Sequence, residues 1–264
     1  MATGLFFSLT SWYNRSVNPH ILAVGVGLLF ITVRLRTLLL CAAAVLFVGA
    51  AARLLLPAAR SVQGAAGREA PTYVLDAGHG GEDGGAVSAD GMKESGVNLA
   101  VTLRLDALLR FLGRDTVLTR TSDVSVYSEG AETLRQKKAS DLKNRVALVN
   151  ATPDAVLVSI HQNSLPTSPR VHGAQVFHAA SERSAALARS VQQALNEGVN
   201  TADKQEKPID PSVYIMRNVT CPAILVECGF LSNADEAARL QQPEHQTALA
   251  LAIAAGLLQT EETT

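Results

Sequence analysis

Two nearly unbroken apolar runs, Ala-Val-Leu-Val-Ser-Ile at 155–160 and Ala-Ile-Leu-Val at 223–226, constrain this chain more than any other feature. A strand with one face in water alternates apolar and polar residues. A continuous run is the pattern of a strand covered on both faces, as in a parallel sheet between helices. A third run, Tyr73-Val74-Leu75, stops at a loop with five glycines within residues 78–85. Helical periodicity separates these runs. Glu94 opens one such stretch, in which Val97, Val101, Leu105, Leu108 and Leu112 recur at three- and four-residue steps until Gly113 ends it.

The other elements expected from pattern are strands at 116–119, 174–177 and 213–216, and helices at 141–151, 182–195, 235–240 and 246–258. Residues 120–140 and 198–211 read as polar connections. Strands alternating with helices over this length predict an α/β fold: an open, mixed, largely parallel sheet flanked by helices. No internal repeat or low-complexity tract interrupts it.

The formal net charge of −1, with no Lys/Arg cluster, excludes a basic face for nucleic acid. The 47% apolar content is uneven, much of it lying before residue 57. Residues 38–56 are long enough for one spanning helix of about 20 residues, with Arg53 able to reach the interface. Arg34 and Arg36 precede the span, which predicts a single-pass anchor with the rest of the chain outside the cytoplasm. Ala50-Ala51-Ala52 offers a cleavage site, so a secreted protein is the alternative. The expected organisation is an N-terminal segment at 1–37 (cytoplasmic, or an over-extended start), the anchor or signal at 38–56, a linker at 57–71 and a folded domain at 72–260. Cys221 and Cys228 flank a strand and, if extended, stand about 23 Å apart, so they are read as free thiols.

Three strands end in a residue able to do chemistry: His79 just past the first, His161 after Ile160 and Glu227 after Val226. In open α/β sheets such ends converge on one crevice. Glu94 begins the helix after the glycine loop, where a carboxylate is favoured by the helix dipole. Two imidazoles and two carboxylates in one cleft fit a catalytic zinc site, three as ligands and the remaining carboxylate taking a proton from water. Each also has a bland reading: His161 as a core histidine, Glu227 as a solvated strand end, Glu94 as a helix-start acid. The four together make coincidence a poor account. Asp76 is expected to orient a ligand histidine, and Asn163 to hydrogen-bond substrate.

The same residues carry a resemblance. Leu75-Asp-Ala-Gly-His-Gly-Gly-Glu-Asp-Gly-Gly-Ala86, Lys93-Glu94 with Val97-Asn98-Leu99, Thr119-Arg120, Ser159-Ile-His-Gln-Asn-Ser164 and Pro222-Ala-Ile-Leu-Val-Glu-Cys-Gly-Phe-Leu-Ser-Asn233 resemble the zinc-dependent N-acetylmuramoyl-L-alanine amidases. These blocks cover almost the whole folded domain. The resemblance implies zinc ligands at His79, Glu94 and His161, with Glu227 as the catalytic carboxylate. It implies peptidoglycan as substrate, cut between the muramic-acid lactyl group and L-alanine. Ala77 and His245 depart from the family pattern without touching this chemistry. A minimal catalytic domain behind one apolar segment is most similar to the amidases of spore-forming bacteria that act on spore cortex. The rival readings are a zinc carboxypeptidase, disfavoured because His79 and Glu94 are far apart in sequence, and an inactive wall-binding protein. The residues name no activating protein partner.

Overall fold

The computed structural model describes residues 70–263. The expected N-terminal segment and anchor, and nearly all of the linker, lie outside the described residues. No helix among the described residues is long and apolar enough to cross a membrane.

Six strands and six helices follow one another: β1 Thr72–Ala77, α1 Glu94–Phe111, β2 Thr116–Leu118, α2 Leu134–Ala151, β3 Ala155–Asn163, β4 Gln175–His178, α3 Glu182–Gly198, β5 Lys207–Pro208, α4 Tyr214–Asn218, β6 Ala223–Phe230, α5 Ala234–Leu240 and α6 Pro243–Thr263. They form one sheet in the order β2-β1-β3-β6-β4-β5. Pairing is parallel from β2 through β6, antiparallel between β6 and β4, and parallel again to β5. The expected mixed, mainly parallel sheet is therefore what forms.

The continuous runs sit at the centre because both of their faces are covered. From β3, Val156, Val158 and Ile160 join Val101, Leu105, Val191, Leu195 and Ile253 in one buried cluster. The alternate residues Ala155 and Leu157 join Val74, Val149, Ile215 and Leu225 in the other. Each fully buried aliphatic side chain contributes roughly 1.5–3 kcal/mol. That gain makes an alternating pattern unnecessary here.

Two expectations are corrected. Residues 213–216 are not a strand. Ile215 and Met216 are both buried although adjacent, and they lie in a short helix whose last residue, Asn218, donates from its side-chain Nδ2 to the Tyr214 carbonyl at 2.7 Å. A short apolar run has too few residues to separate the two periods. Helix α2 also begins well before residue 141. Thr133 caps it, accepting from the Gln136 amide at 3.2 Å while the Gln136 side chain returns to the Thr133 amide at 3.0 Å. This capping box sets the start despite the polar composition that reads as loop.

Chain order also fixes where a cleft opens. From β1 the chain passes through α1 outward to β2, then returns through α2 to β3 on the other side of β1. The order thus reverses between β1 and β3, which is where open α/β sheets form a crevice beyond their strand ends.

Candidate metal centre and catalytic cleft

The loop after β1 turns back on itself at the crevice. His79 has φ 60°, in the left-handed region that non-glycine residues rarely adopt. The glycines around it leave room that a side chain would fill: a Cβ on Gly78 would lie inside the His161 ring, and one on Gly85 would strike both the Glu94 carboxylate and the His79 ring. The Gly78 and Gly85 positions thus admit no side chain without displacing the histidines.

Glu94 reaches the cleft from the first turn of α1, half-encircled by donors. Its Oε2 accepts from the Ala86 amide at 2.8 Å, and its Oε1 from the Gln162 amide at 3.1 Å and the Asn98 side chain at 3.2 Å. His161 Nδ1 lies 2.9 Å and His79 Nε2 3.3 Å from the same Oε1. Burial alone would push the Glu94 carboxyl up, but the two imidazoles beside it hold it well below the usual carboxylate range. The His79 and His161 rings meet edge to face with centroids 5.1 Å apart. One ligand atom from each of His79, Glu94 and His161 falls within 4.8 Å of the other two. Two imidazole nitrogens and a carboxylate converging on one point are a donor set suited to Zn²⁺.

Behind these three residues, the surroundings differ from expectation. Asp76 bonds no histidine. Its carboxylate accepts from Thr119 Oγ1 at 2.9 Å, Ser159 Oγ at 2.6 Å and Arg145 Nη1 at 2.6 Å. Burial would raise its pKa, yet Arg145 and the Ser159 hydroxyl together hold it below the usual carboxylate range. The carboxylate facing one of the two histidines is Asp83, whose Oδ2 lies 3.0 Å from His79 Nδ1. The contact is out of line for a hydrogen bond, so Nδ1 keeps no hydrogen-bond partner among the described residues. Burial favours neutral His79, but the Glu94 and Asp83 carboxylates outweigh it and raise the imidazole pKa.

Sequence reasoning missed two buried cations. The Arg120 side chain is fully buried and donates to the carbonyls of Ala77, Gly78 and Ser95 at 2.9, 3.0 and 2.8 Å. Arg145, 2% exposed, donates to Asp76, to the Ala77 carbonyl at 2.8 Å, to the His79 carbonyl at 2.7 Å and, through Nε, to Asp141 at 2.7 Å. The two guanidinium groups clamp the carbonyls of the glycine loop and hold His79 in its unfavourable backbone conformation. The signals in the sequence were the Thr119-Arg120 block, which marks a position without a role, and the pair Asp141/Arg145 at helical spacing, which reads equally well as a surface ion pair.

Glu227 stands in register with His161 across the β3–β6 ladder, so the two side chains share a face of the sheet. It is half-buried, and desolvation of its carboxyl pushes its pKa up to about 7; the nearby histidines partly oppose the rise and Glu94 adds to it. Its Oε2 is buried with no hydrogen-bond partner among the described residues. Such an atom is costly unless it serves a ligand or the reaction. Asn163, two residues beyond His161, is half-buried on the same face. The structure thus brings His79, Glu94, His161, Glu227 and Asn163 to one edge, with Asp76 one layer behind.

Comparison with known proteins agrees with this fold. The chain is 38% identical over 188 residues to the germination-specific N-acetylmuramoyl-L-alanine amidase of Bacillus subtilis, covering 70% of this chain and 77% of that protein. Among solved structures it resembles the CwlD amidase of Clostridioides difficile, determined in complex with the GerS lipoprotein. That match has a TM-score of 0.70 at 36% identity, over 74% of this chain and 99% of the other. The catalytic domain of the amidase CwlV from Bacillus (Paenibacillus) polymyxa gives a TM-score of 0.62 at 29% identity, over 74% and 100%. Residues 74–259, from the middle of β1 to the last helix, match the family described as N-acetylmuramoyl-L-alanine amidase, and the chain belongs to that family.

Proposed function

We propose that this amidase hydrolyses the lactyl–L-alanine amide of peptidoglycan with Glu227 as proton carrier and with His79, Glu94 and His161 holding one zinc ion. The observation that supports it best is the buried, unpartnered Glu227 Oε2 on the residue paired across the ladder with His161, one of the three residues whose ligand atoms converge. A zinc ion there would supply Lewis acidity, polarising the scissile carbonyl and lowering the pKa of water toward about 7.

Glu227, its own pKa raised by burial, takes the proton of the attacking water and returns it to the alanine nitrogen as the C–N bond breaks. A new C–O bond leaves the lactyl group as a carboxylic acid and the peptide with a free amino terminus. Asn163 donates to the substrate from the strand end beyond His161. Asp83 faces His79 from behind, and the Arg120/Arg145 clamp fixes the loop that presents the ring.

Replacing Glu227 by Gln tests the assignment. Zinc content should persist while release of alanine amino termini falls by roughly 10²–10⁴-fold, the usual worth of a positioned acid–base group. Loss of zinc with activity would make Glu227 a ligand instead, and unchanged turnover would remove it from the mechanism.

Peptidoglycan lies outside the cytoplasmic membrane, so the catalytic domain works there. Residues 38–56 anchor it as a single span, with the linker at 57–71 between anchor and enzyme; Arg34, Arg36 and the apolar run support this reading. Fractionation should leave the protein in the membrane pellet until detergent is added. A soluble product beginning near Arg53 would show that the segment is a cleaved signal. Similarity to the germination-specific B. subtilis enzyme supports spore cortex as the wall acted on, and the C. difficile complex with a lipoprotein supports a protein partner here too.

A further inference from the structure

We propose that Lys204 binds a carboxylate of the peptide attached to the leaving alanine, and so sets which muropeptides this enzyme prefers. The proposal rests on the amidase reading above. Its ground is a half-buried ammonium group delivered to the catalytic face without a carboxylate of its own.

Two links place Lys204 there. Gln175, on β4, is the register partner of Glu227, so their side chains share a face, and the Gln175 side-chain Nε2 donates to the Gln205 carbonyl at 2.8 Å. The residue next to Glu227 therefore grips the loop at Lys204. On the other side, the β3–β6 register slips after His161/Glu227 and resumes at Asn163/Phe230. Phe230 is thereby set beside Asn163, one pleat, about 7 Å, further along the face that carries the catalytic pair. The Lys204 Nζ lies 5.1 Å from the centre of the Phe230 ring.

The lysine is held in place along its length. Its amide donates to Asn196 Oδ1 at 3.1 Å and its carbonyl accepts from Asn196 Nδ2 at 2.8 Å. The end of its stem crosses Gly173, whose φ of 92° and missing Cβ leave the room it occupies. No carboxylate among the described residues comes within 4.0 Å of its Nζ. The nearby acid is Glu236, buried, with its oxygens accepting from the amides of Gly173 at 2.8 and 3.0 Å and Phe230 at 2.7 Å. Glu206, on the same loop, faces Arg189 instead, at 3.8 Å. Burial makes the unpaired charge costly, lowering the Lys204 pKa, with Glu236 only partly offsetting the effect. An incoming carboxylate would relieve that cost. In peptidoglycan the residue after L-alanine carries a carboxylate, free in some walls and amidated in others.

The test uses two soluble muramoyl peptides that differ only in whether the carboxylate of the residue after L-alanine is free or a carboxamide. Wild-type, zinc-loaded protein should show the lower KM on the free acid. Lys204→Met keeps the stem over Phe230 and removes the charge. It should raise KM on the acid about ten-fold, the lower range for a hydrogen bond to a charged group, with kcat and the carboxamide kinetics unchanged. Lys204→Glu should raise KM on the acid further. Equal effects on both peptides, or none on either, would overturn the role of Lys204 alone. Failure of wild type to cleave either peptide would instead bring down the amidase reading, and the proposal with it.

Discussion

Replacing Arg145 by methionine should be among the most damaging single changes in this domain, although Arg145 bonds no side chain of His79, Glu94 or His161. Methionine keeps much of the volume and removes the guanidinium. Asp76, 2% exposed and left with the hydroxyls of Thr119 and Ser159, then carries a buried charge without a counter-ion. Breaking a buried pair in this way costs about 3–5 kcal/mol. The carbonyls of Ala77 and His79 lose charged donors as well, and a bond of that kind is worth roughly 1.5–3 kcal/mol each. Against a typical total of about 5–15 kcal/mol, the variant should be near the edge of folding. Urea denaturation of the zinc-free protein measures the loss. Adding Asp76→Asn to Arg145→Met removes the orphaned charge and should restore a substantial part of it, a coupling that additive effects could not produce. A single variant within about 1 kcal/mol of wild type, or strict additivity in the double one, would refute the reasoning.

Three further outcomes follow from the site. The acid limb of the kcat/KM profile should fall at or below about pH 7, because burial raises Glu227 to about that value and a bound dication would lower it; the limb should vanish in Glu227→Gln. The folded-state pKa of Asp76 is depressed, so its contribution to stability is complete above about pH 3.9, the unfolded value, and is lost as pH falls below it. Urea midpoints against pH should therefore drop less steeply for Asp76→Asn, and parallel curves would refute the assignment. Gly78→Ala should displace His161 and lose most of the bound zinc by elemental analysis, whereas full occupancy would show that the loop can yield.

The parts of this molecule legible in sequence were those governed by local period and by strand ends. The apolar runs of β3 and β6 announced buried strands, and the polar residues just past them fell where parallel strands end together. Glu94 was readable because a helix start and a glycine loop meet there. Residues 213–216 and the first turns of α2 were misread for want of length in one case and of apolar residues in the other. Arg120 and Arg145 could not be read. Whether an arginine is buried depends on carbonyls and acids supplied by β1, the glycine loop and α2, and nothing in its own neighbourhood records them. The exchange of Asp76 for Asp83 beside His79 has the same origin. Asp76 lies in a strand, its direction fixed by the pleat toward Ser159 and Arg145, while Asp83 is carried back to His79 by a turn.

The sheet has consequences at its margins too. Its outermost strands are the three-residue β2 and the two-residue β5, and β5 consists of an exposed lysine and a proline. A stranger's backbone seeking to extend the sheet would find almost no ladder on either side, and at Pro208 no amide to bond. Truncated borders of this kind let copies of the domain crowd together without growing, strand by strand, into an aggregate.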